Sequence, residues 1–544
     1  MSARNPLQQR TTSRRADELP ASAARPYVPR IALDWVGGRA NADHRRVQGT
    51  LLFADISGFT RLSERLAAHG RVGAEEVVGI IGNVLSALVG EIEQRGGDVL
   101  IFAGDALVVL FEGADGPIRA ARAGASIRAW FAANGSIQAS VGRVRLRVSI
   151  GIASGAVNLV LAGDDARGLF VAGPTASRMV RLERAAQAGE ILLDSETARS
   201  LDPSWLGPAH EQGSFLRRVS GPEPSLSVRP LGGSVDVLAL VPRPLRPFLT
   251  GADRLESEHR LATIAFVLAG GLDRRFETEP GAAVADLGRL QMAAAAAADR
   301  HRITLLGTDV ATDGVSLFLV AGAPVATGDD EERMLQALAE IVRMPGADRL
   351  QLRAGVNHGP VFAGDVGAPN RRTYTAMGDA TNLAARIAAR AGPGEILASS
   401  AVLDRSATEF ESEALPAFVA KGKREPVATH RVGRPHGRSA RSSDRLPLTG
   451  RVVEFAVLDR ALAAAQRGAG STIVIVGEAG SGKSRLFQEL LPDARIAARL
   501  IARFSPAGES SAYGGLRTGL RDLAGISPEA DPAEAGESLS TWIE

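Results

Sequence analysis

Cysteine is absent from the 544 residues, which removes disulfides, thiolate metal sites and a cysteine nucleophile. No run of 18 or more apolar residues occurs, so no transmembrane helix is expected. The first residues, MSARNPLQQRTTSRR, lack the apolar segment that a secretory signal needs. Together these absences make the cytoplasm the expected location. Aromatic residues are scarce, at 4%. Lys plus Arg total 63 against 61 for Asp plus Glu. No basic stripe interleaved with aromatics stands out, so no nucleic-acid partner is expected.

What is present suits a globular chain with large cores: 45% hydrophobic and 23% charged residues. At about 100–200 residues per domain, the length predicts roughly three domains. Sixty glycines favour many tight turns. Residues 1–44 are rich in Arg, Ser, Ala and Pro without sustained periodicity and read as a loosely ordered tail. From there a rhythm sets in. VQGTLLFADI reads as a buried strand, SGFTRLSERLAAHG as the start of a helix, and GAEEVVGIIGNVLSALVGEIEQRGG as a long helix stopped by paired glycines. VLIFAGDALVVLF reads as a hairpin broken at Ala103-Gly104-Asp105, and a helix near 117–133 and a strand at 145–155 follow. Five matching segments recur in order after a Pro/Gly/Ser-rich boundary, among them LATIAFVLAGG, ITLLGTDVATDGVSLFLVAG and GPGEILAS. An internal duplication follows. The expected division is 45–230, a linker at 231–256, a second repeat at 257–433, a linker at 434–447 and a last unit at 448–544.

Asp55 ends a buried strand and Asp105 sits at a hairpin tip. A carboxylate at the end of an apolar run must be paired, hydrogen-bonded or bound to a cation. Two readings remain open on the residues alone: turn aspartates capping backbone amides, or hard oxygen ligands for Mg²⁺ or Mn²⁺. In the second repeat, Asn382 and Arg386 stand four residues apart and share a helix face. They are either incidental surface residues or a clamp for charge on a phosphoryl group. His358 is expected to be structural.

FADISGFTRLSE at 53–64 with GGDVLIFAGDALVVLF at 96–111 closely resembles the metal-binding half of class III adenylyl and guanylyl cyclases. The resemblance implies that Asp55 and Asp105, with the Ile56 carbonyl, ligate two Mg²⁺ or Mn²⁺ ions. It implies that Ser57, Gly58, Phe59 and Thr60 present backbone amides to phosphates. RTYTAMGDATNLAARIAARA at 372–391 resembles the transition-state segment of the same family. There Asn382 would orient the ribose, Arg386 would hold the α-phosphate and Thr375 would contact the purine. The halves are unequal. Leu268 aligns with Asp55, the hairpin GTDVATDGVSLF lacks a clean counterpart of FAGD, and Ser177 replaces the Asn although Arg181 remains. The expected fold is therefore α/β, an α+β sandwich. Two ferredoxin-like cyclase domains would form a pseudo-twofold intramolecular heterodimer with one complete site, next to a partial P-loop α/β unit. The implied activity is conversion of ATP to cyclic AMP and pyrophosphate in intracellular signalling. A guanylyl cyclase and a catalytically weak sensor controlling a fused ATP-binding module are the alternatives. The purine-contacting lysine of the family is missing, the aligned stretch having Thr312, Asp313 and Ser316. Ile101 stands where bicarbonate-responsive members carry lysine, so bicarbonate activation is not expected.

Near the C-terminus, GEAGSGKS follows the apolar run STIVIV, read as a strand, and fits the P-loop pattern. Gly477, Gly480 and Gly482 would let the backbone wrap phosphates, Lys483 would reach the β/γ-phosphates and Ser484 would bind Mg²⁺. A second ATP, or ADP, is the expected ligand. No later segment reads as apolar residues ending in Asp, which an ATPase needs, so either the sequence is a piece of a longer protein or this unit is incomplete, and ATP hydrolysis is left open for this stretch.

Overall fold

The computed structural model describes residues 21–37, 43–67, 70–223, 237–250, 257–326, 329–406, 408–419, 426–438, 450–476 and scattered positions beyond. The chain divides into two compact units, 1–438 and 439–544.

The first unit contains the duplication. In the first repeat, β1 (His44–Ser57) turns into α1 (Phe59–Ala67) and α2 (Gly70–Glu93), followed by the hairpin β2 (Asp98–Ala103) and β3 (Ala106–Glu112). Next come α3 (Gly116–Asn134), the long strand β4 (Arg147–Ala162), β5 (Gly168–Ala172), α4 (Pro174–Ala185) and β6 (Ile191–Leu193). Strands β7 (Leu206–His210) and β8 (Gly213–Leu216) finish the repeat. The sheet order is β2-β3-β1-β4-β6-β8-β7, with β5 pairing β4. The second repeat copies it with β9 (Glu258–Gly270), α5 (Leu272–Thr278), α6 (Pro280–Arg300), β10 (Thr304–Ala311), β11 (Gly314–Ala321) and α7 (Asp330–Val342). It continues through β12 (Arg353–Ala368), β13 (Arg371–Met377), α8 (Asp379–Arg390), β14 (Ile396–Ser399), β15 (Thr408–Phe418) and β16 (Val427–Arg438). Its order is β10-β11-β9-β12-β14-β16-β15, with β13 pairing β12. Among the described residues only the β4–β6 and β12–β14 pairs are parallel, so both sheets are mixed, with helices supplying the apolar cover.

One glycine in each central strand fixes where a helix lies. A Cβ on Gly151 would collide with the backbone of Met179 and Glu183, and one on Gly355 with Ile387 and Ala388. Each absent side chain lets α4 or α8 rest directly on its strand. The second of these helices carries Asn382 and Arg386.

The repeats are joined by exchanged arms. Phe362, Val366, Ala368 and Met377, from β12 and β13, are buried in the apolar core of the first repeat with Ile56, Phe59 and Leu85. Reciprocally, Val160, Ala162, Phe170 and Ala172, from β4 and β5, fill the core of the second repeat with Leu287 and Leu317. Polar contacts accompany the exchange: Ser86 Oγ donates to the Gly367 carbonyl at 3.2 Å and Gln291 Nε2 to the Ala166 carbonyl at 2.8 Å.

Two stretches are more ordered than their composition suggests. The expected tail of residues 1–44 contains a helix, Arg30–Gly37, which begins where the Asp98 carboxylate accepts the N–H groups of Arg30 and Ile31. Ile31 and Trp35 are buried against Leu51, Leu100 and Val108 of the first repeat. Val28, Ala32 and Leu33 are buried against Ile264 and Val320 of the second. The segment is a strap across both repeats; its order comes from tertiary burial, which local periodicity does not report. The expected linker of residues 231–256 likewise has Val237, Val241 and Leu245 buried in the same cluster.

In the second unit, α9 (Val452–Gln466) buries Leu458 while Val452 and Val453 are exposed. Residues 471–476, read from sequence as a strand, have no strand assignment among the described residues. An apolar run becomes a strand only when another strand pairs with it. Gly477, Gly480, Gly482 and Ser484 lie outside the described residues; Lys483 is described and half-buried.

Candidate active site

The acidic pair is built by strand register. Asp55 lies opposite Ala106 of β3 on one side and Ser149 of β4 on the other. Asp105, one residue before Ala106, therefore comes to the same corner. Burial, and next the charge of Asp55, push the Asp105 carboxyl up to about 8. Two carboxyls held together in a desolvated corner form a like-charge pair that a divalent cation would relieve. The residues present thus fit a hard-cation site. The adjoining turn fits anionic oxygens. Ile56 and Phe59 are buried, Ser57 is half-buried and Gly58 is exposed. Gly58 adopts φ +100°, and its carbonyl accepts the Leu62 N–H at 3.3 Å, so it caps α1. The amides of the first helical turn, Phe59 and Thr60, have no partner inside the helix. The Thr60 side chain lies outside the described residues.

Thr375, Asn382 and Arg386 belong to the second repeat. Thr375 is buried on β13 opposite Gly364. Asn382 and Arg386 are half-buried on α8. The β13–α8 unit is brought to the first repeat at its beginning, where Arg371 binds β2, and at Met377, which is buried in the first repeat's core.

At the other pseudo-symmetric position, protein groups bond one another. Ser177 Oγ donates to Asp273 Oδ1 at 2.8 Å and accepts the Asp313 N–H at 2.8 Å. The Asp313 carboxylate accepts the N–H groups of Gly271 and Asp273 at 3.3 and 3.1 Å. These amides begin α5, the second-repeat counterpart of α1. An internal carboxylate thus occupies the amides that a phosphate would need. Burial, with the charge of Asp313 adding to it, raises the Asp273 carboxyl above its usual range.

Strand register corrects the sequence alignment of the second hairpin. Leu268 faces Arg353 and Ser316, as Asp55 faces Ser149 and Ala106. Asp309 lies opposite Ser316, as Ala103 lies opposite Ala106. The second hairpin therefore runs further before turning at Thr312 and Asp313. Asp309 stands where the first repeat has Ala103; burial pushes it to about 7. By the same register, and by a bulge at the same place in each hairpin, Ile101 matches Gly307. His358 is paired with Glu331 at 2.8 Å and with Thr263 Oγ1 at 3.1 Å, a structural role.

Two mixed sheets of one topology, paired within a single chain, are the arrangement of class III cyclase domains. The chain belongs to the adenylate and guanylate cyclase catalytic domain family, whose model matches residues 43–218 and 332–433. An AAA ATPase domain matches residues 447–544. The chain is 26% identical over 431 residues to mouse adenylate cyclase type 10, covering 70% of this chain and 26% of that protein. It is 33% identical over 129 residues to adenylate cyclase 1 of Rhizobium meliloti, covering 22% of this chain and 19% of that protein. It thus spans about a quarter of the length of the mammalian relatives it matches, 26% in the mouse case. A class III adenylyl cyclase-like ATP-binding protein from Pseudomonas aeruginosa aligns with 16% identity and a TM-score of 0.46, over 67% of this chain and 85% of that one. No described helix is long and apolar enough to cross a membrane.

Proposed function

We propose that the paired repeats convert ATP to 3′,5′-cyclic AMP and pyrophosphate at one site between them. One observation carries this reading. The close acidic pair belongs to the first repeat and the Asn382/Arg386 helix to the second, while at the opposite position Ser177, Asp273 and Asp313 bond one another. Asp55, Asp105 and the Ile56 carbonyl would hold two Mg²⁺ or Mn²⁺ ions, which when bound neutralise triphosphate charge and acidify the ribose 3′-hydroxyl. The amides from Ser57 to Thr60 receive phosphate oxygens. Thr375 contacts the purine, Asn382 orients the ribose, and Arg386 stabilises charge on the α-phosphate. The 3′-oxygen bonds to the α-phosphorus, the bond to the pyrophosphate oxygen breaks, and the hydroxyl proton leaves to solvent. The names of the mouse and Rhizobium relatives support ATP over GTP. The C-terminal unit would bind a second ATP or ADP through Lys483 and the neighbouring P-loop residues, as part of a cytoplasmic signalling protein.

The test is product analysis with Mn-ATP and Mn-GTP in parallel. Cyclic AMP from ATP is expected, with Asp105→Ala and Arg386→Ala each losing about 100-fold or more. Cyclic GTP alone would move the assignment to a guanylyl cyclase, and no cyclic product from either nucleotide would end the cyclase reading.

A further inference from the structure

Arg371 is the first residue of β13, and the residue is 6% exposed. Its guanidinium crosses from the second repeat into the first. Nε donates to the Val99 carbonyl at 2.8 Å and Nη2 to the Leu100 carbonyl at 3.1 Å. Nη1 donates to the carbonyls of Arg372 at 3.0 Å and Pro26 at 3.4 Å. The guanidinium carbon lies 4.9 Å from the centroid of the Phe102 ring. Burial lowers the Arg371 pKa to about 10, which leaves the group charged at neutral pH.

The place it grips is a defect in the hairpin. Val99 pairs with Val109 and Ile101 with Val108, so Leu100 is an extra residue in β2. A bulge locally disrupts the ladder and bends its strand. The two gripped carbonyls flank that irregularity, six residues and fewer before Asp105. On its own strand, Arg371 stands four residues before Thr375, and α8 follows directly. The other side lacks the device. Counting back seven residues from Gly378 reaches Arg371, and the same count from Gly173 reaches Ala166. Just past the β10 bulge, the Thr308 hydroxyl donates to the Leu169 carbonyl instead. The guanidinium therefore serves the hairpin that ends in the acidic pair.

We propose that Arg371 is a positioning residue: it pins the bulge of the Asp105 hairpin to the strand that carries Thr375, and so sets the acidic pair against the nucleoside-binding groups. The inference rests on the cyclase reading for its consequence, not for its geometry. The planar fork is essential, because two carbonyls on successive residues are met by two N–H directions at once, which an ammonium does not reproduce.

The experiment uses the full chain and three variants: Arg371→Ala, Arg371→Lys and Asn370→Ala. Asn370 donates to Glu93 across the same interface, on α2 rather than on β2, and serves as the control. Hydrogen exchange of the metal-free protein is read on peptides covering residues 98–106. Opening of the hairpin should rise about ten-fold in Arg371→Ala, and by less in Arg371→Lys. The Mn²⁺ concentration for half-maximal turnover should rise by a similar factor, about ten-fold, with a smaller change in the KM for ATP at saturating Mn²⁺. Asn370→Ala should match wild type in both. Unchanged hairpin exchange and unchanged Mn²⁺ dependence in a folded Arg371→Ala would overturn the proposal while leaving the cyclase reading intact. If Arg371→Ala does not fold, Arg371→Lys decides by the same readings. If the wild type makes no cyclic nucleotide, the proposed function falls and the exchange measurement alone decides the pin.

Discussion

Replacing Asp313 tests whether the second pocket is held shut from within. The residue is exposed at a turn with φ 60°, and its carboxylate accepts two backbone N–H groups at the start of α5. Removing an exposed acceptor of this kind costs about 1 kcal/mol. Placing alanine at a left-handed φ costs about 1 kcal/mol more, a strain that Asp and Asn bear better. Asp313→Ala should therefore destabilise the α5 segment by about 2 kcal/mol, or roughly 30-fold in its opening equilibrium. Asp313→Gly loses the acceptor but adopts the turn freely, so about 1 kcal/mol is expected. Asp313→Asn keeps one acceptor oxygen and the turn, and should cost least. Hydrogen exchange over residues 271–278 reads all three, because a local opening is visible there without unfolding a large multi-domain chain. The order Ala, Gly, Asn is the signature. Equal exchange in Asp313→Ala and Asp313→Asn would refute the capping argument. Turnover should be unchanged in all three, since these groups lie in the pocket that lacks the acidic pair.

Two further perturbations concern stability. Asp286 is 2% exposed at its side chain and sits among Arg275, Arg289 and Arg349. Burial pushes its carboxyl up, but hydrogen bonds from Arg349 and Arg275 and the charges of Arg275 and Arg289 outweigh this and hold it below the usual range. Its contribution is thus present above the unfolded carboxyl value of about 4 and lost as pH falls through the lower folded value. Asp286→Asn should cost about 3–5 kcal/mol at neutral pH and show a shallower acid dependence in thermal melts between pH 2 and about 5. Trp35→Ala should cost about 3–5 kcal/mol, since Trp35 is 3% exposed and lies beneath the Arg45 guanidinium at 4.7 Å. Limited proteolysis would then cut the strap before either repeat.

Where the sequence pointed to a candidate site, short local motifs carried it. The runs 53–64, 96–111 and 372–391 carried the family resemblance, and the resemblance singled out Asp55, Asp105, Asn382 and Arg386; the residues alone left turn aspartates and an incidental surface pair open. Asp309 and Asp313 could not be placed, because hairpin length depends on how β9, β11 and β12 pair, and pairing register is a tertiary property. Arg371 gave no signal either. An arginine beside Arg372 reads as surface charge until the Val99 and Leu100 carbonyls stand across from it. The strap before β1 escaped notice for a related reason. Its apolar residues divide between two cores, which leaves no single stripe for a helical period to reveal.

The exchanged arms make the two repeats one folding unit. Phe362 and Met377 complete an interior whose other members were synthesised some three hundred residues earlier, so the first repeat stays unfinished until the second emerges, and closing such long-range contacts is slow. The same interlock forbids the repeats from swinging apart during turnover, because separation would open both interiors to water. If the proposed reaction runs here, the movement that admits ATP and releases product would be confined to the rim, where hairpins and helix starts can shift while the interlocked sheets stay still.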